Sequence, residues 1–157
     1  MKKLFALLTA ALLSTAAFAQ SGKSVYMKYS DANDVSAVYI SPAMFKMMGK
    51  LPDMKMDDKD INLSSIVKTM SGLYIIDSEN AGINNSIRKD VEKFITRGDY
   101  EIMMEAKDNG ESMRIYTMGD EKVVRSFVLL AYEENECSFI CLEGEMPREA
   151  LEKILSE

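Results

Sequence analysis

The chain has 157 residues, 13 of them methionine, two cysteine and none histidine, and carries a net charge of −6. That length suits one domain able to bury its own core. The missing imidazole excludes Ser-His-Asp and Cys-His nucleophilic sites, histidine-bearing zinc sites and imidazole acid–base catalysis.

In chain order, Met1-Lys2-Lys3 is a basic start and Leu4 to Leu13 an apolar run with small residues. Ala17-Phe18-Ala19 fits the small-x-small cleavage rule, so residues 1–19 read as a signal peptide with cleavage between Ala19 and Gln20. The run is too short to span a bilayer, which takes about 20 apolar residues. Nothing later in the sequence could span one. The expected mature chain, 20–157, is a single exported domain, periplasmic or secreted. Losing Lys2 and Lys3 moves the net charge to about −8. No basic run survives, which argues against nucleic acid and against an anionic membrane surface as partners. The acidic balance serves solubility.

Ser24 to Tyr29 reads as a brief strand or extended arm, followed by turn material at Ser30 to Asp34. Val35 to Ile40 leans β. Ser41-Pro42 opens a helix, with Ser41 as N-cap and Pro42 in the first turn. Met44, Phe45 and Met48 form its apolar stripe, and Gly49 stops it. Leu51 to Asp60 is a loop carrying Asp53, Asp57, Asp58 and Asp60. A short helix is expected over Asn62 to Met70, and a buried strand over Gly72 to Ile76. Asp77 to Asn80 supplies loop and cap. Ile83, Ile87, Val91, Phe94 and Ile95 then recur at helical spacing, up to Gly98. Strand, helix and the strand at Tyr100 make a crossover unit, right-handed if the two strands lie parallel in one sheet.

Four strands follow: Tyr100 to Lys107, Ser112 to Met118, Lys122 to Glu133 and Cys137 to Glu143. Their joints are short, polar and turn-prone, which predicts antiparallel hairpins. The last two strands are apolar on both faces over Phe127 to Tyr132 and Cys137 to Leu142, so both faces want cover. The Ile83 to Ile95 helix and a terminal helix starting at Pro147, striped by Leu151, Ile154 and Leu155, would cover one. The N-terminal third or a partner must cover the other. The expected fold class is α+β: two-layer, a mostly antiparallel sheet with a four-strand meander, and helices largely on one face.

Candidate chemistry is sparse. Cys137 and Cys141 on one strand stand about 13 Å apart, beyond the roughly 7 Å Cα limit of a disulfide. They read as small buried hydrophobes, with a reactive thiol or intermolecular bridge as the alternative. The aspartate loop lacks the spacing of an EF-hand and reads as solvated. Met44, Met47, Met48, Met54 and Met56 fall within thirteen residues. Thioethers select Cu(I), which makes this cluster a candidate soft-metal site, against plain packing or an adaptable partner groove. Lys107, Arg114, Lys122 and Arg125 are interleaved with acids and read as a solvated face. No catalytic residue and no cofactor is assigned. The sequence reads as a non-catalytic domain that binds an envelope protein or small ligand, with copper handling and a carboxylate or thiol enzyme as alternatives.

Three stretches carry a resemblance: the signal peptide, the strand pair Tyr100-Glu-Ile-Met-Met-Glu-Ala-Lys-Asp-Asn-Gly and Met113-Arg-Ile-Tyr-Thr, and the run from Val128 to Gly144. With them the mature chain, most clearly from Leu73 onward, resembles domain-of-unknown-function family 4252, small exported proteins of Bacteroidetes-type bacteria. The resemblance implies an exported protein with a final helix after the last strand. It implies no site residues, because that family has no assigned activity.

Overall fold

The computed structural model describes residues 21–49 and 66–155. Its elements are α1 (Gly22–Tyr29), β1 (Val35–Ile40), α2 (Pro42–Met48), β2 (Met70–Ser78), α3 (Ala81–Arg97), β3 (Tyr100–Asp108), β4 (Glu111–Gly119), β5 (Val123–Tyr132), β6 (Cys137–Pro147) and α4 (Arg148–Leu155). The signal segment 1–19, its cleavage point, the aspartate loop and the start of the helix expected from Asn62 lie outside the described residues. Of that helix, Ile66 and Val67 are helical and Met70 already belongs to β2.

The six strands form one antiparallel sheet in the order β1-β2-β6-β5-β4-β3. The expected four-strand meander is therefore too small a description. Val35–Ile40 and Met70–Ser78 pair onto β6 and widen the sheet by two strands. This places β6 inside the sheet, where β2 and β5 satisfy the backbone groups of its two edges and its two apolar faces lie under cover. Because every neighbour is antiparallel, β2 and β3 run in the same direction, with β6, β5 and β4 between them. Helix α3 makes the connection, leaving from β2, one strand in from the β1 edge, and returning at the β3 edge.

Hairpin chemistry sets the register. Asp108 faces Glu111 across a two-residue turn, with Asn109 at φ 45° and Gly110 at φ 94°. Successive positive φ values suit the twist of a tight hairpin and favour Asn-Gly. At the next joint, Asp120 Oδ1 accepts hydrogen bonds from the backbone N–H groups of Lys122 and Val123, both at 2.9 Å.

Ser24 to Tyr29, expected to be extended, is helical. Ser21 caps α1, accepting from the Ser24 backbone N–H while the Ser24 side chain returns to the Ser21 N–H. This is a capping box with serine in place of the usual Glu or Gln. Val25 and Tyr29 then fall one turn apart and bury against the sheet.

The main core lies on one sheet face. Ile87, Val91 and Phe94 of α3, with Val25 and Tyr29 of α1, pack on Ile76, Val128, Leu130 and Phe139. Asp90 of α3 holds α1 in place, accepting from Lys28 Nζ at 2.6 Å and from the Tyr29 hydroxyl at 2.7 Å. Partial burial pulls the Asp90 carboxyl up, but these two donors outweigh it and hold the group below its ordinary value. A depressed acid stabilises the fold above the ordinary carboxylate range and loses that contribution as pH falls through its folded value. Lys28 is mostly exposed, so the pair is worth about 1 kcal/mol. Asp90→Asn is expected to lower stability by that amount at pH 7. The gap should close below about pH 4 in urea melts across pH.

Contrary to expectation, the helices do not share one face. α4 starts at Arg148, one residue after Pro147, and lies on the face opposite α3. There Ala150 and Leu151 pack with Phe127 and Leu142, around buried Ile66, Val124 and Met146. The physical reason is the doubly apolar β5–β6 pair: Phe127 and Leu142 point away from α3 and need their own cover. Of the described N-terminal residues, α1 joins α3 on the first face, and α2 packs on β2 with Phe45 buried.

Candidate functional site

At one end of the α3 face, the sheet and helices stop short of closing and leave a cleft of about 680 Å³. That volume lies within the range of small-molecule sites. Its walls come from Ser21 at the start of α1, the end of α3 and the adjoining ends of β2, β3, β4, β5 and β6.

The approach of α1 is set by a glycine. A Cβ on Gly22 would collide with Cys141, 2.7 Å from its Cβ and closer still to its sulfur. Alanine normally favours a helix over glycine by about 1 kcal/mol. Overpacking a core contact costs about 1–3 kcal/mol, which wins here. Gly22→Ala is expected to lower the urea midpoint. Cys141→Gly in the same chain should recover part of the loss.

The polar lining is chained together. The Tyr100 hydroxyl donates to Ser126 Oγ at 2.9 Å. Ser126 Oγ lies 3.9 Å from Cys141 Sγ, and the Cys141 thiol points to Glu143 Oε1, also at 3.9 Å. Period two places Cys137, Phe139, Cys141 and Glu143 on the same face of β6, so the apolar row ends in a carboxyl inside the cleft. Burial raises the Glu143 pKa, with Cys141 and the more distant Lys23 opposing weakly. Cys141 is pushed up to about 12, first by burial and then by Glu143. Cys137 rises to about 11, again by burial. Tyr74, beside the same cluster, rises to about 12 by burial and then by the field of Glu143.

Burial of these groups bears on the chemistry. Cys141 is a thiol at neutral pH, and a thiol is not the nucleophilic form. Ser126 has a tyrosine hydroxyl and a thiol as neighbours, neither of them a base at neutral pH. The cluster can hold and orient a polar group; it has no activated nucleophile. The thiol role left open by the sequence is thus disfavoured by burial, and Cys137 and Cys141 sit as free, buried side chains.

Glu143 also sets a stability test. A carboxyl whose folded pKa is raised weakens the fold as pH climbs above the unfolded value. Glu143→Gln is therefore expected to melt higher than the parent at pH 7, with the difference fading at about pH 4. A lower melting point at pH 7 would show that the carboxylate is stabilised in place.

The other sequence candidates lie elsewhere. Met44 and Met47 on α2 are 44% and 60% exposed, and Met48 is half-buried. Met54 and Met56 lie outside the described residues. Among the described residues, no group of three or more His, Cys, Asp or Glu side chains is arranged to hold a metal ion. Arg114 is engaged by Glu105 at 2.6 Å and Glu92 at 3.1 Å, and Arg125 by Asp120 at 3.2 Å. Lys107 pairs with Glu105 at 2.7 Å, so charge on these strands is internally matched. Sequence reasoning missed Glu143, Ser126 and Tyr100. The usable signal was Glu143 itself, an acid in step with Cys137, Phe139 and Cys141.

The class defined here is an α+β domain with a six-stranded antiparallel sheet and a polar cleft at one end. Over residues 29–154 the chain matches the family model described as Domain of unknown function (DUF4252), and it belongs to that family. No curated protein and no solved structure matches it. Among the described residues no helix is long and apolar enough to cross a membrane.

Proposed function

We propose that the protein is an exported, non-catalytic binding domain whose cleft takes a small ligand. The observation that supports this reading is the cleft's make-up. Hydroxyls and a half-buried carboxyl converge beside aromatic rings, above the buried Cys141 thiol, without an activated nucleophile among them. Convergent polar groups in a concave site are the usual form of ligand recognition. Export rests on the basic start, apolar run and Ala17-Phe18-Ala19 of the sequence.

The binding test is a small-ligand screen by NMR against the parent and Ser71→Trp. Ser71 lies on the cleft wall yet is exposed, so an indole there fills the opening without disturbing the core. Ligands that bind the parent and lose binding in the variant are the expected result. An empty screen, or ligands indifferent to the indole, would overturn the reading. For export, the N-terminal sequence of protein recovered from the envelope should begin at Gln20. An intact residue 1 would reject it.

A further inference from the structure

We infer that the cleft recognises an organic ammonium: a primary amine carrying an aromatic or apolar body, with Glu143 receiving the charge. The inference rests on reading the cleft as a binding site and names its ligand class.

Three observations favour a cation over an anion. First, the acid is the inner charged group. Glu143 is half-buried, and its one hydrogen-bond partner among the described residues is the Cys141 thiol, a weak donor at 3.9 Å. A carboxylate taken from water without a hydrogen-bonded cation or strong donor is costly, and an incoming ammonium offsets that cost beyond what the more distant Lys23 does. The arginines on the same walls are already occupied: Arg125 holds Asp120 and is half exposed, and Arg97 is also engaged. Second, Phe94 and Tyr100 line the cleft as an edge-to-face pair with centroids 5.9 Å apart. Aromatic faces attract ammonium groups and accept an apolar body. Third, Glu145 adds a second acid to the wall, and the chain carries a net charge of −6. Such a field raises the local concentration of cations and repels anions.

The amine should bind the ionised form of Glu143, so affinity should rise with pH through that group's titration. The charged and titratable groups around it are Lys23 on α1, Arg97 on α3, Tyr74 on β2, Tyr100 on β3, Arg125 on β5, and Cys141 and Glu145 on β6. Tyr74 and Cys141 titrate near 12. The chain has no histidine. Carboxylates are therefore the side chains that change charge between about pH 4 and 7.

The test titrates the purified protein with benzylamine, benzyl alcohol and benzoate, following backbone amide shifts by NMR. The expected result is that benzylamine shifts the amides of Ser126, Glu143 and Gly144 and binds at least about tenfold tighter than the other two. Glu143→Gln should remove that preference, and lowering pH from about 7 to about 4 should weaken benzylamine in the parent. The pH series needs no variant, so it stands if the substitution fails to fold. Benzoate or benzyl alcohol binding the cleft as well as benzylamine would overturn the ammonium inference while leaving the cleft a binding site. Silence from all three would overturn it too, and the wider screen with Ser71→Trp then decides separately whether the cleft binds anything.

Discussion

Phe139→Ala is expected to cost about 3–5 kcal/mol, the usual penalty for truncating a fully buried phenylalanine. Phe139 is 0% exposed on β6 and meets Phe94 of α3 edge-to-face, with centroids 6.1 Å apart and planes at 77°. Its ring sits where the helix layer meets the centre of the sheet, so the lost volume cannot be refilled from solvent or a loop. Domains of this size have about 5–15 kcal/mol in total, and the variant should lie near the edge of folding. Urea unfolding should show a large drop in midpoint with little change in slope. Phe127→Ala, on the opposite face and only half-buried, should cost distinctly less. A reversed order would place the main core on the α4 side.

Asn84→Ala is the second large effect, about 2–3 kcal/mol, because it leaves buried polar groups unpaired. Asn84 Oδ1 accepts from the Ser78 hydroxyl at 2.7 Å, and its Nδ2 donates to the Asn135 carbonyl at 2.8 Å. One amide thus joins the end of β2, the first turn of α3 and the turn between β5 and β6. Ser78 is 0% exposed, so water does not replace the lost partner. Asn80 continues the fastening, donating from Nδ2 to the Asn33 carbonyl at 3.0 Å. In a double-mutant cycle, Ser78→Ala should lose less in the Asn84→Ala background than in the parent. Simple additivity would mean that the hydrogen bond contributes nothing.

Strand identity was legible in the sequence because the pattern is local. Alternation in Tyr100 to Ala106 and the Asp108-Asn109-Gly110-Glu111 joint locate a hairpin without any tertiary information. The α3 helix was equally plain, since Ile87, Val91 and Ile95 repeat at four residues. What escaped depended on contacts far apart in the chain. Val25, Tyr26 and Tyr29 have β-leaning side chains, and only docking of Val25 and Tyr29 on the sheet makes α1 worthwhile. The side taken by α4 follows from which residues of β6 remain bare, and that is settled by how β2 and β5 flank it. The cleft escaped for the same reason: Tyr100, Ser126 and Glu143 meet through pairing across β3 to β6, not through spacing. The methionine cluster, prominent by count, led elsewhere; Met44 and Met47 face solvent on a short helix.

The journey of α3 from β2, across three intervening strands, to the far border has a consequence for how the molecule is made. Strands β3 to β6 zip together through tight neighbouring turns, whereas β2 must wait for β6, whose pairing residues lie more than fifty positions downstream, as with Ser78 and Cys137. Non-local closures of this kind slow folding. A polypeptide emerging amino end first therefore has Leu73 to Ile76 with β1 as its one strand partner, and its β6-facing side stays open until the last strand arrives. That open side is an unpaired strand edge on the incomplete chain, the kind of surface that makes folding intermediates prone to aggregate.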